Sequence, residues 1–397
     1  MPKSYPRRAL TVHACTHALR SRLSAFHRKG NPSIAMSVFL ADRIKASLPS
    51  HALLLELLAS SFADMHAGRI VLGPVSHIDF APAMGNQDDA DCCIKSAYLK
   101  TGSTWVVKVA AGWYKNPQLV PPLPSSVGLM LVFCLKTGVP KAVLLDGGFL
   151  TDLRTALAAC VTARALAPKT TRAIGLVGAG TICRLIVEVL HSVGLSTRKL
   201  HIWARRPAAA QALADQAGRF GWQASGCDSL HELAGSCDLI CTCTPSKEPL
   251  LLASHVALRP KSAPGLHICA LGSDQEGKQE LEPALLGMAS LIVADSVSQC
   301  FSYGECCHAK RLGILSEQNE QVVPLGLLLS PTHAHLQRGA AEGRGEDRRL
   351  TIADSTGVGA SDWCIAEAAY RALVPGSPPP PPMAHKWRAA SLGTSKL

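Results

Sequence analysis

Short apolar runs alternate with segments of helical periodicity between about residues 165 and 325. The helical patterns lie at Thr181–Val193 and Ala208–Arg219. The runs predicted to be strands are Arg172–Val177, Leu200–Trp203, Leu239–Cys243, His267–Leu271 and Leu291–Ala294. Parallel strands cannot be joined by a tight turn, so this alternation predicts a parallel sheet with right-handed crossovers. This stretch is therefore a candidate nucleotide-binding domain.

The flanking segments predict a second domain of mixed α and β structure. His51–Ala67 has apolar residues at helical spacing and ends at Gly68, as a helix C-cap would. Leu350–Leu373 predicts a strand, a turn and a closing helix that return to this domain. The runs predicted to be its other strands are Ile70–Leu72, Trp105–Val109, Val127–Phe133 and Ala142–Leu145.

These patterns divide the chain into five segments. A basic extension covers 1–33, and a substrate and dimerisation domain begins at 34–150. The nucleotide-binding domain covers 151–330, and the chain returns to the substrate domain at 331–374. A proline-rich tail at 375–397 is expected to be disordered. The substrate domain is therefore made from both ends of the chain.

The net charge of +11 is concentrated at the two ends of the chain. The first 41 residues contain seven bases and no acid, the tail from Pro375 contains three bases and no acid, and the remaining 30 bases face 29 acids. A nearly neutral body has no general electrostatic footprint for a phosphate backbone, so nucleic-acid binding is not expected. No apolar run approaches the roughly 20 residues of a membrane span, and no membrane association is expected.

The N-terminal segment is rich in Arg and Ser, a composition typical of an organellar transit peptide. The alternative is a basic arm without a targeting role. We therefore expect a cytoplasmic protein, or a mitochondrial or plastid one if the segment directs import. The 15 cysteines lack the paired spacing of zinc sites, so we expect reduced thiols and no metal.

The glycine loop Gly178-Ala179-Gly180-Thr181 lies where a predicted strand meets a predicted helix. The first glycine permits a tight turn, and the second lets the backbone approach a pyrophosphate that the helix N-terminus stabilises. An ordinary strand-to-helix turn is the alternative interpretation. In its context the loop favours a Rossmann-type domain that binds a dinucleotide, with Gly178 and Gly180 as cofactor contacts.

The end of the second strand of this domain bears on the choice of cofactor. An acid at this position hydrogen-bonds the ribose of NAD, but here Ala204 is followed by Arg205 and Arg206. Two guanidinium groups are able to bind a 2′-phosphate. NADP is therefore favoured over NAD, unless both arginines point into solvent.

Several motifs occur in an order that resembles the ornithine cyclodeaminase/mu-crystallin family over roughly residues 35–373. The ordered set is more specific than any single motif. It comprises Arg69, Phe80–Met84, WVVKVAAG at Trp105–Gly112, FLTDLRTA at Phe149–Ala156, the glycine loop, LGSDQEGKQEL at Leu271–Leu281, Asp295–Gln299, YGEC at Tyr303–Cys306 and DSTG at Asp354–Gly357.

The resemblance implies roles for particular residues. Arg69, Lys108 and Arg154 match positions that bind the substrate carboxylate, and Thr356 matches a further substrate contact. Asp274 matches the catalytic acid that manages protons on the substrate nitrogen, and we expect Lys108 to take part in catalysis as well. Surface or turn positions are the alternatives for these side chains. Positions that match cofactor contacts are Ser126, Thr181, Ile182, Thr244, Ile268, Cys269, Ala270, Leu271, Lys278 and Ser355.

The resemblance also implies a reaction class. We expect an NAD(P)-dependent homodimer that transfers hydride at the α-carbon and nitrogen of a small amino acid or imine. The reaction is either cyclodeamination of ornithine to proline and ammonia, or that of an amino-acid dehydrogenase or imine reductase. A crystallin-like protein that binds NADPH or a small ligand without catalysis is the alternative. No residue was identified that would recognise the distal amine of ornithine.

Overall fold

The computed structural model describes residues 36–84, 90–193, 197–260, 262–330 and 349–376. In these ranges the chain is a mixed α/β protein built on two large sheets. The basic extension at 1–33 and all but the start of the proline-rich tail lie outside them. Among the described helices, none combines the length and the apolar character needed to cross a bilayer.

The first sheet has the described strand order β1-β7-β6-β5-β4-β2, with β3 also paired to β4. Its strand β1 runs parallel to β7, and the other pairs are antiparallel. The strands are β1 (Ser37–Leu40), β2 (Ile70–Leu72), β3 (Ser76–Asp79), β4 (Ala90–Leu99), β5 (Thr104–Trp113), β6 (Ser126–Cys134) and β7 (Pro140–Leu145).

Among the described helices, four accompany this sheet: α1 (Ala41–Ser47), α2 (His51–His66), α3 (Phe149–Leu166) and α12 (Gly359–Leu373). The hydroxyl of Ser50 accepts a hydrogen bond from the backbone N–H of Leu53 and so caps the start of α2. Helix α12 is almost entirely buried, because it packs against α2 on one side and against β4 and β5 on the other.

The second sheet is entirely parallel, with the described order β10-β9-β8-β11-β13-β17-β15-β16. Its central strands are continuous apolar runs because both faces are covered. The strands are β8 (Ile174–Val177), β9 (Lys199–Trp203), β10 (Gln223–Gly226), β11 (Leu239–Thr242), β13 (Leu266–Ala270), β15 (Leu291–Ala294), β16 (Val322–Pro324) and β17 (Leu350–Asp354). This is the predicted Rossmann-type sheet.

The remaining elements complete the second unit. A small parallel pair is formed by β12 (Lys247–Leu251) and β14 (Gln279–Leu281). The helices are α4 (Thr181–Val193), α5 (Pro207–Gly218), α6 (Leu230–Ser236), α7 (Ala253–Ala257), α8 (Pro283–Met288), α9 (Val297–Tyr303), α10 (Glu305–Arg311) and α11 (Leu325–Leu328).

The position of β17 differs from the expectation that residues 331–374 return to the substrate domain as one piece. Only α12 does so. Strand β17 lies in the middle of the parallel sheet, paired with β13 on one side and β15 on the other. All five of its residues are buried. A strand that is apolar on both faces needs cover on both sides, which a position inside the parallel sheet provides. The link from β17 to α12 therefore crosses between the two units.

Helix α3 joins the units in the other direction. It contacts α2 and α12 of the first unit, and α4 and β13 of the second. Its buried side chains belong to a core cluster that runs through both units. The carboxyl ends of the parallel strands consequently face the open side of the first sheet.

Candidate active site

A cavity of about 330 Å³ lies between the two units. Its floor is the face of the first sheet that carries Lys95, Lys108 and Ala110, and its opposite wall is formed by the glycine loop and the ends of parallel strands. Ligands bind outside the carboxyl ends of the strands in sheets of this kind. The cavity has the size and position of a small-molecule site.

The glycine loop fits a dinucleotide. Gly178 has a φ of +120°, and a Cβ at this position would lie 2.7 Å from the carbonyl oxygen of Cys243, so only glycine is accommodated. Gly180 lines the cavity, and a Cβ there would meet nothing within 4 Å, which leaves open space above the backbone. Thr181 begins α4 at the cavity, where a helix N-terminus stabilises a phosphate.

A buried carboxylate fixes the cavity ends of β11 and β13. Glu280 accepts hydrogen bonds from the backbone N–H of Thr244 (2.6 Å), the hydroxyl of Thr244 (2.8 Å) and the backbone N–H of Gly272 (2.7 Å). Burial raises the pKa of Glu280. Its four-way bonding, completed by Thr242, holds both loops in place beneath the cavity.

Asp274 follows β13 and enters the cavity with Lys278. The ammonium of Lys278 lies 2.7 Å from Oδ1 of Asp274 and donates to the hydroxyl of Tyr114 at 2.9 Å. Burial acts to raise the pKa of Asp274, but the charge and hydrogen bond of Lys278, together with the charges of Lys95 and Arg154, outweigh it, so the pKa lies below its usual value. About half of the Asp274 side chain is exposed to solvent in the cavity, and the carboxylate is ionised at neutral pH.

Three buried cations lie together on the floor of the cavity. Lys108 Nζ is 3.3 Å from Oδ2 of Asp362, and Arg154 Nε is 3.0 Å from Oδ1 of the same carboxylate. Lys95 is the cross-strand neighbour of Lys108. Burial acts to raise the pKa of Asp362, but Lys108 and Arg154 hold it below its usual value. This cluster is suited to binding carboxylates.

The segment that links β17 to α12 closes the cavity beside these cations. Thr356 donates its hydroxyl proton to Oδ1 of Asp295 at 3.1 Å, and the backbone N–H of Gly357 donates to Oδ2 at 2.6 Å. Gly357 has a φ of +76°, and a Cβ there would lie 2.5 Å from Nη1 of Arg154. Glycine at 357 therefore lets the arginine pass beneath the loop.

Two further acids and a histidine line the cavity. Burial raises the pKa of Asp91, whose Oδ2 accepts a hydrogen bond from the hydroxyl of Tyr114. Burial raises the pKa of Asp152, at the start of α3, to about 6. Burial, together with the nearby charge of Lys95, lowers the pKa of His77, so that this imidazole is neutral near pH 7.

Most of the residues singled out by sequence meet at this cavity. They come from both sheets and from the link between β17 and α12. The cavity is lined by Lys108, Ser126, Arg154, Gly180, Thr181, Ile182, Thr244, Leu271, Asp274, Lys278, Ser355 and Thr356. Their individual roles remain predictions.

Arg69 is not brought to the cavity. Its guanidinium is bonded to Asp64 instead, with Nε and Nη2 at 2.8 and 2.5 Å from Oδ1. The carboxylate of Asp64 is fully buried in the last turn of α2, so it needs this local cation. Substrate binding by Arg69 stays a prediction.

Ile268, Cys269 and Ala270 are also placed away from the cavity. All three are buried inside β13, and the strand reaches the cavity only at Leu271. A strand covered on both faces directs its side chains into the core, so these residues support the sheet. The structure does not place their side chains against a cofactor in the cavity.

Arg205 and Arg206 are exposed in the turn after β9, outside the cavity lining. The turn nevertheless adjoins the glycine loop, because the backbone N–H of Gly178 donates to the carbonyl of Trp203 at 2.8 Å. Gly178 itself shapes the loop without lining the cavity. The arginines are thus at the edge where a bound dinucleotide would extend.

Sequence reasoning missed Lys95 and Asp362, and it named Asp295 only as part of a motif, without a role in the site. Strand β4, which carries Asp91 and Lys95, was not predicted. The sequence of β4, ADCCIKSAYL, gives no clear apolar–polar alternation, since Lys95 is buried and Ile94 only half buried. Asp362 lies at the first turn of α12, where an acid is ordinary and gives no sequence signal.

Cysteines supply no metal centre in the described part of the chain, where no group of three or more His, Cys, Asp and Glu side chains is placed to hold an ion. The fourteen described cysteines are free thiols, and most are buried. They contribute as small apolar groups.

Known proteins are similar to this chain over most of its length. The model of the ornithine cyclodeaminase/mu-crystallin family matches residues 50–376. An uncharacterized cyclodeaminase of Sinorhizobium fredii is 32% identical over 303 residues, which cover 76% of this chain and 85% of that protein. The iminosuccinate reductase of Paracoccus denitrificans is 32% identical over 329 residues, 83% of this chain and 94% of the reductase.

Two solved structures share the fold. The crystal structure of the Paracoccus denitrificans iminosuccinate reductase in complex with NAD+ has a TM-score of 0.70 and covers 85% of this chain and 96% of its own, at 31% identity. An archaeal alanine dehydrogenase, a dimer with bound NAD, has a TM-score of 0.71 at 26% identity and covers 85% of this chain and 95% of its own.

Proposed function

We propose a specific activity for this chain, which belongs to the ornithine cyclodeaminase/mu-crystallin family: reduction of the imine of a small 2-oxo acid, and the reverse oxidation of the amino acid. The chain is an NAD(P)-dependent enzyme that acts at the α-carbon and nitrogen of a small amino acid or imine. The observation that carries the proposal is the meeting of Lys108, Arg154 and Asp274 in one cavity beside the glycine loop.

The two cations Lys108 and Arg154 bind the α-carboxylate in this proposal. Both are buried, and Asp362 holds them in fixed positions. A carboxylate held between them places the α-carbon in the cavity, away from bulk water. Orientation of this kind contributes to catalysis because it removes the entropy cost of aligning the reacting groups.

Asp274 stabilises the substrate nitrogen. An imine accepts hydride more readily when its nitrogen is protonated, and an ionised carboxylate stabilises the resulting positive charge. Hydride adds to the α-carbon, the electrons of the C=N bond move to nitrogen, and the amine then takes up a proton. Lys278, 2.7 Å from Asp274, fixes the carboxylate in place. Burial acts to lower the pKa of Lys278, but Asp274 and Tyr114 hold it above its usual value, so the ammonium keeps its proton.

The cofactor is a nicotinamide dinucleotide, and NADP is our proposed preference. When bound, it supplies or accepts the hydride. Gly178, Gly180 and Thr181 would hold its pyrophosphate, and Arg205 and Arg206 would contact a 2′-phosphate. The exposure of both arginines and the absence of an acid at Ala204 support this preference.

Cyclodeamination of ornithine is a second candidate, because the S. fredii relative is called a cyclodeaminase and because Asp91 and Asp152 line the cavity. A distal ammonium group would need such a carboxylate. We favour the reductase because Asp91 already accepts a hydrogen bond from Tyr114, and because Lys95, Lys108 and Arg154 line the same cavity, where they would repel a distal ammonium group.

A homodimer is part of the proposal. Strand β1 is an edge of the first sheet, and Met36, Val38 and Leu40 are each about half exposed there. Exposed apolar groups on an edge strand favour association. Light scattering should give twice the chain mass, and a monomer at micromolar concentration would contradict this part.

The activity is tested by a turnover screen that follows nicotinamide fluorescence. The purified chain is supplied with NADPH or NADH and with imines formed from 2-oxo acids and ammonia, or with cyclic imines. In separate reactions it is supplied with NADP+ or NAD+ and amino acids. Net cofactor oxidation with imines is the expected result. Ammonia release from ornithine without net cofactor change would show the cyclodeaminase, and cofactor binding without any turnover would show a binding protein.

A further inference from the structure

Lys95 is a buried cation that has no role in the reaction proposed above. It lies on β4 directly opposite Lys108 of β5, so both side chains leave the sheet on the same face and line the cavity. Their Cβ atoms are about 5 Å apart in such a pair. Like charges directly opposite each other destabilise a sheet, and burial strengthens the repulsion because less water screens it.

The described cluster of Lys95, Lys108, Arg154 and Asp362 carries an excess of positive charge. Asp362 is shared by Lys108 and Arg154. The ammonium of Lys95 instead donates to two backbone carbonyls, at 3.2 Å from Thr356 and 2.5 Å from Gly357. Burial and the charge of Lys108 lower the pKa of Lys95, which shows that its positive charge is poorly compensated here. With all three bases protonated, three cations face one carboxylate, a net charge of +2.

Other carboxylates in the cavity do not neutralise Lys95. Asp274 is paired with Lys278, and Asp295 accepts hydrogen bonds from backbone amides. Asp91 accepts from a tyrosine hydroxyl, and Asp152 lies on α3 two residues before Arg154, whose charge acts on it. Buried charge of one sign is unfavourable unless a ligand brings the opposite charge.

We propose that Lys95 binds a second carboxylate of the substrate, so that the preferred substrate is a dicarboxylic α-imino acid or the corresponding amino acid. The inference rests on the proposed function, in which Lys108 and Arg154 hold the α-carboxylate. A monocarboxylate neutralises only one of the two excess charges, whereas a dicarboxylate neutralises both. In a four-carbon chain the carboxylates are separated by two carbon atoms, which suits binding to neighbouring cations.

A substrate with a distal ammonium group would meet repulsion at the same place. Lys95 would therefore favour substrates with a distal carboxylate over substrates with a distal ammonium group. A purely structural role, in which Lys95 only holds the carbonyls of Thr356 and Gly357, makes a different prediction. In that case its substitution would affect substrates with one and two carboxylates equally.

The experiment compares reductive amination of oxaloacetate with that of pyruvate, each with ammonia and saturating reduced cofactor. Wild-type kcat/KM should be higher for the dicarboxylate. Lys95→Gln keeps N–H donors for the loop carbonyls but removes the charge. It should lower the ratio of kcat/KM for the dicarboxylate to kcat/KM for the monocarboxylate by about 10- to 100-fold, mainly because KM for the dicarboxylate rises. A factor of this size corresponds to the loss of one charged hydrogen bond. Lys95→Arg should restore most of the ratio.

Lys100→Met is the matched control, since Lys100 is exposed just beyond β4 and outside the cavity. The ratio of kcat/KM for oxaloacetate to kcat/KM for pyruvate should be the same in Lys100→Met as in the wild type. A wild-type preference for pyruvate, or equal losses for both substrates in Lys95→Gln, would overturn the inference and leave the proposed function intact. Absence of hydride transfer with every imine in the screen would overturn the proposed function and this inference together.

Discussion

Asp362→Asn should destabilise the protein, because this side chain is the carboxylate shared by Lys108 and Arg154. Its contacts are 3.3 and 3.0 Å long, and its side chain is 1% exposed. With an effective dielectric constant near 20, each contact is worth roughly 5 kcal/mol before desolvation. Desolvation of a buried carboxylate cancels several kcal/mol of this sum, and removal of one partner from a buried ion pair typically costs about 3–5 kcal/mol. We expect a loss of that size in the free energy of unfolding.

The assay is urea unfolding at pH 7, followed by circular dichroism and by tryptophan fluorescence. Trp363 adjoins Asp362 in α12 and reports on this region directly. Glu276→Gln is the control, because the pair of Glu276 with Arg311 is exposed and such pairs contribute about 0–1 kcal/mol. A loss below about 1 kcal/mol for Asp362→Asn would refute the assignment of this carboxylate as the anchor of the cations.

The pH dependence gives an independent check. Since the folded-state pKa of Asp362 lies below its unfolded value, its ionisation stabilises the fold above the unfolded pKa, near about 4. The stabilisation is lost as the pH falls through the folded pKa. The difference between wild type and Asp362→Asn should therefore be constant from neutral pH down to about 5 and shrink in stronger acid. If the difference in the free energy of unfolding instead grows as the pH falls below about 5, the pKa of Asp362 is not lowered by folding.

Three further predictions concern chemistry, cofactor and chain boundary. Asp274→Asn should reduce turnover by about 10²–10⁴-fold while the dissociation constant of the cofactor, measured by fluorescence titration, stays near wild type; near-normal turnover would make Asp274 a turn residue. NADPH should bind more tightly than NADH in the same titration, and the double substitution Arg205→Ala and Arg206→Ala should reduce the ratio of the two dissociation constants. If the wild type binds NADH as tightly as NADPH or more tightly, the two arginines do not select NADP. Deletion of residues 1–33 should leave solubility and turnover unchanged, and an insoluble truncated chain would show that the boundary is misplaced.

Local patterns were sufficient to predict the parallel sheet. The predicted helix Thr181–Val193 has the same bounds in the structure, and Leu291–Ala294 is the predicted strand. Both follow from residues close in sequence: apolar periodicity sets the type of element, and the glycine loop sets where strand gives way to helix. The fold class and the placement of the glycine loop at the cavity were therefore available from the sequence.

Pairing across long distances in the chain was decided by the tertiary structure. Strand β17 lies between β13 and β15, although it follows β16 in sequence, because its apolar faces need cover on both sides. Its insertion brings Thr356 and Gly357 to Lys95, 261 and 262 positions away in the sequence. No local pattern encodes such a contact, since it depends on which strands pair.

For the charged residues of the site, the sequence determined which are present and the tertiary structure determined what each one contacts. The sequence by itself determined that Lys108, Arg154 and Asp274 are present in motifs suited to an amino-acid substrate. Only the tertiary structure decided that Arg69 is neutralised by Asp64 and that Lys95 stands opposite Lys108. The reason is physical: whether a charged side chain binds a ligand or a neighbour depends on the groups within a few ångströms, and folding brings those groups from distant parts of the chain.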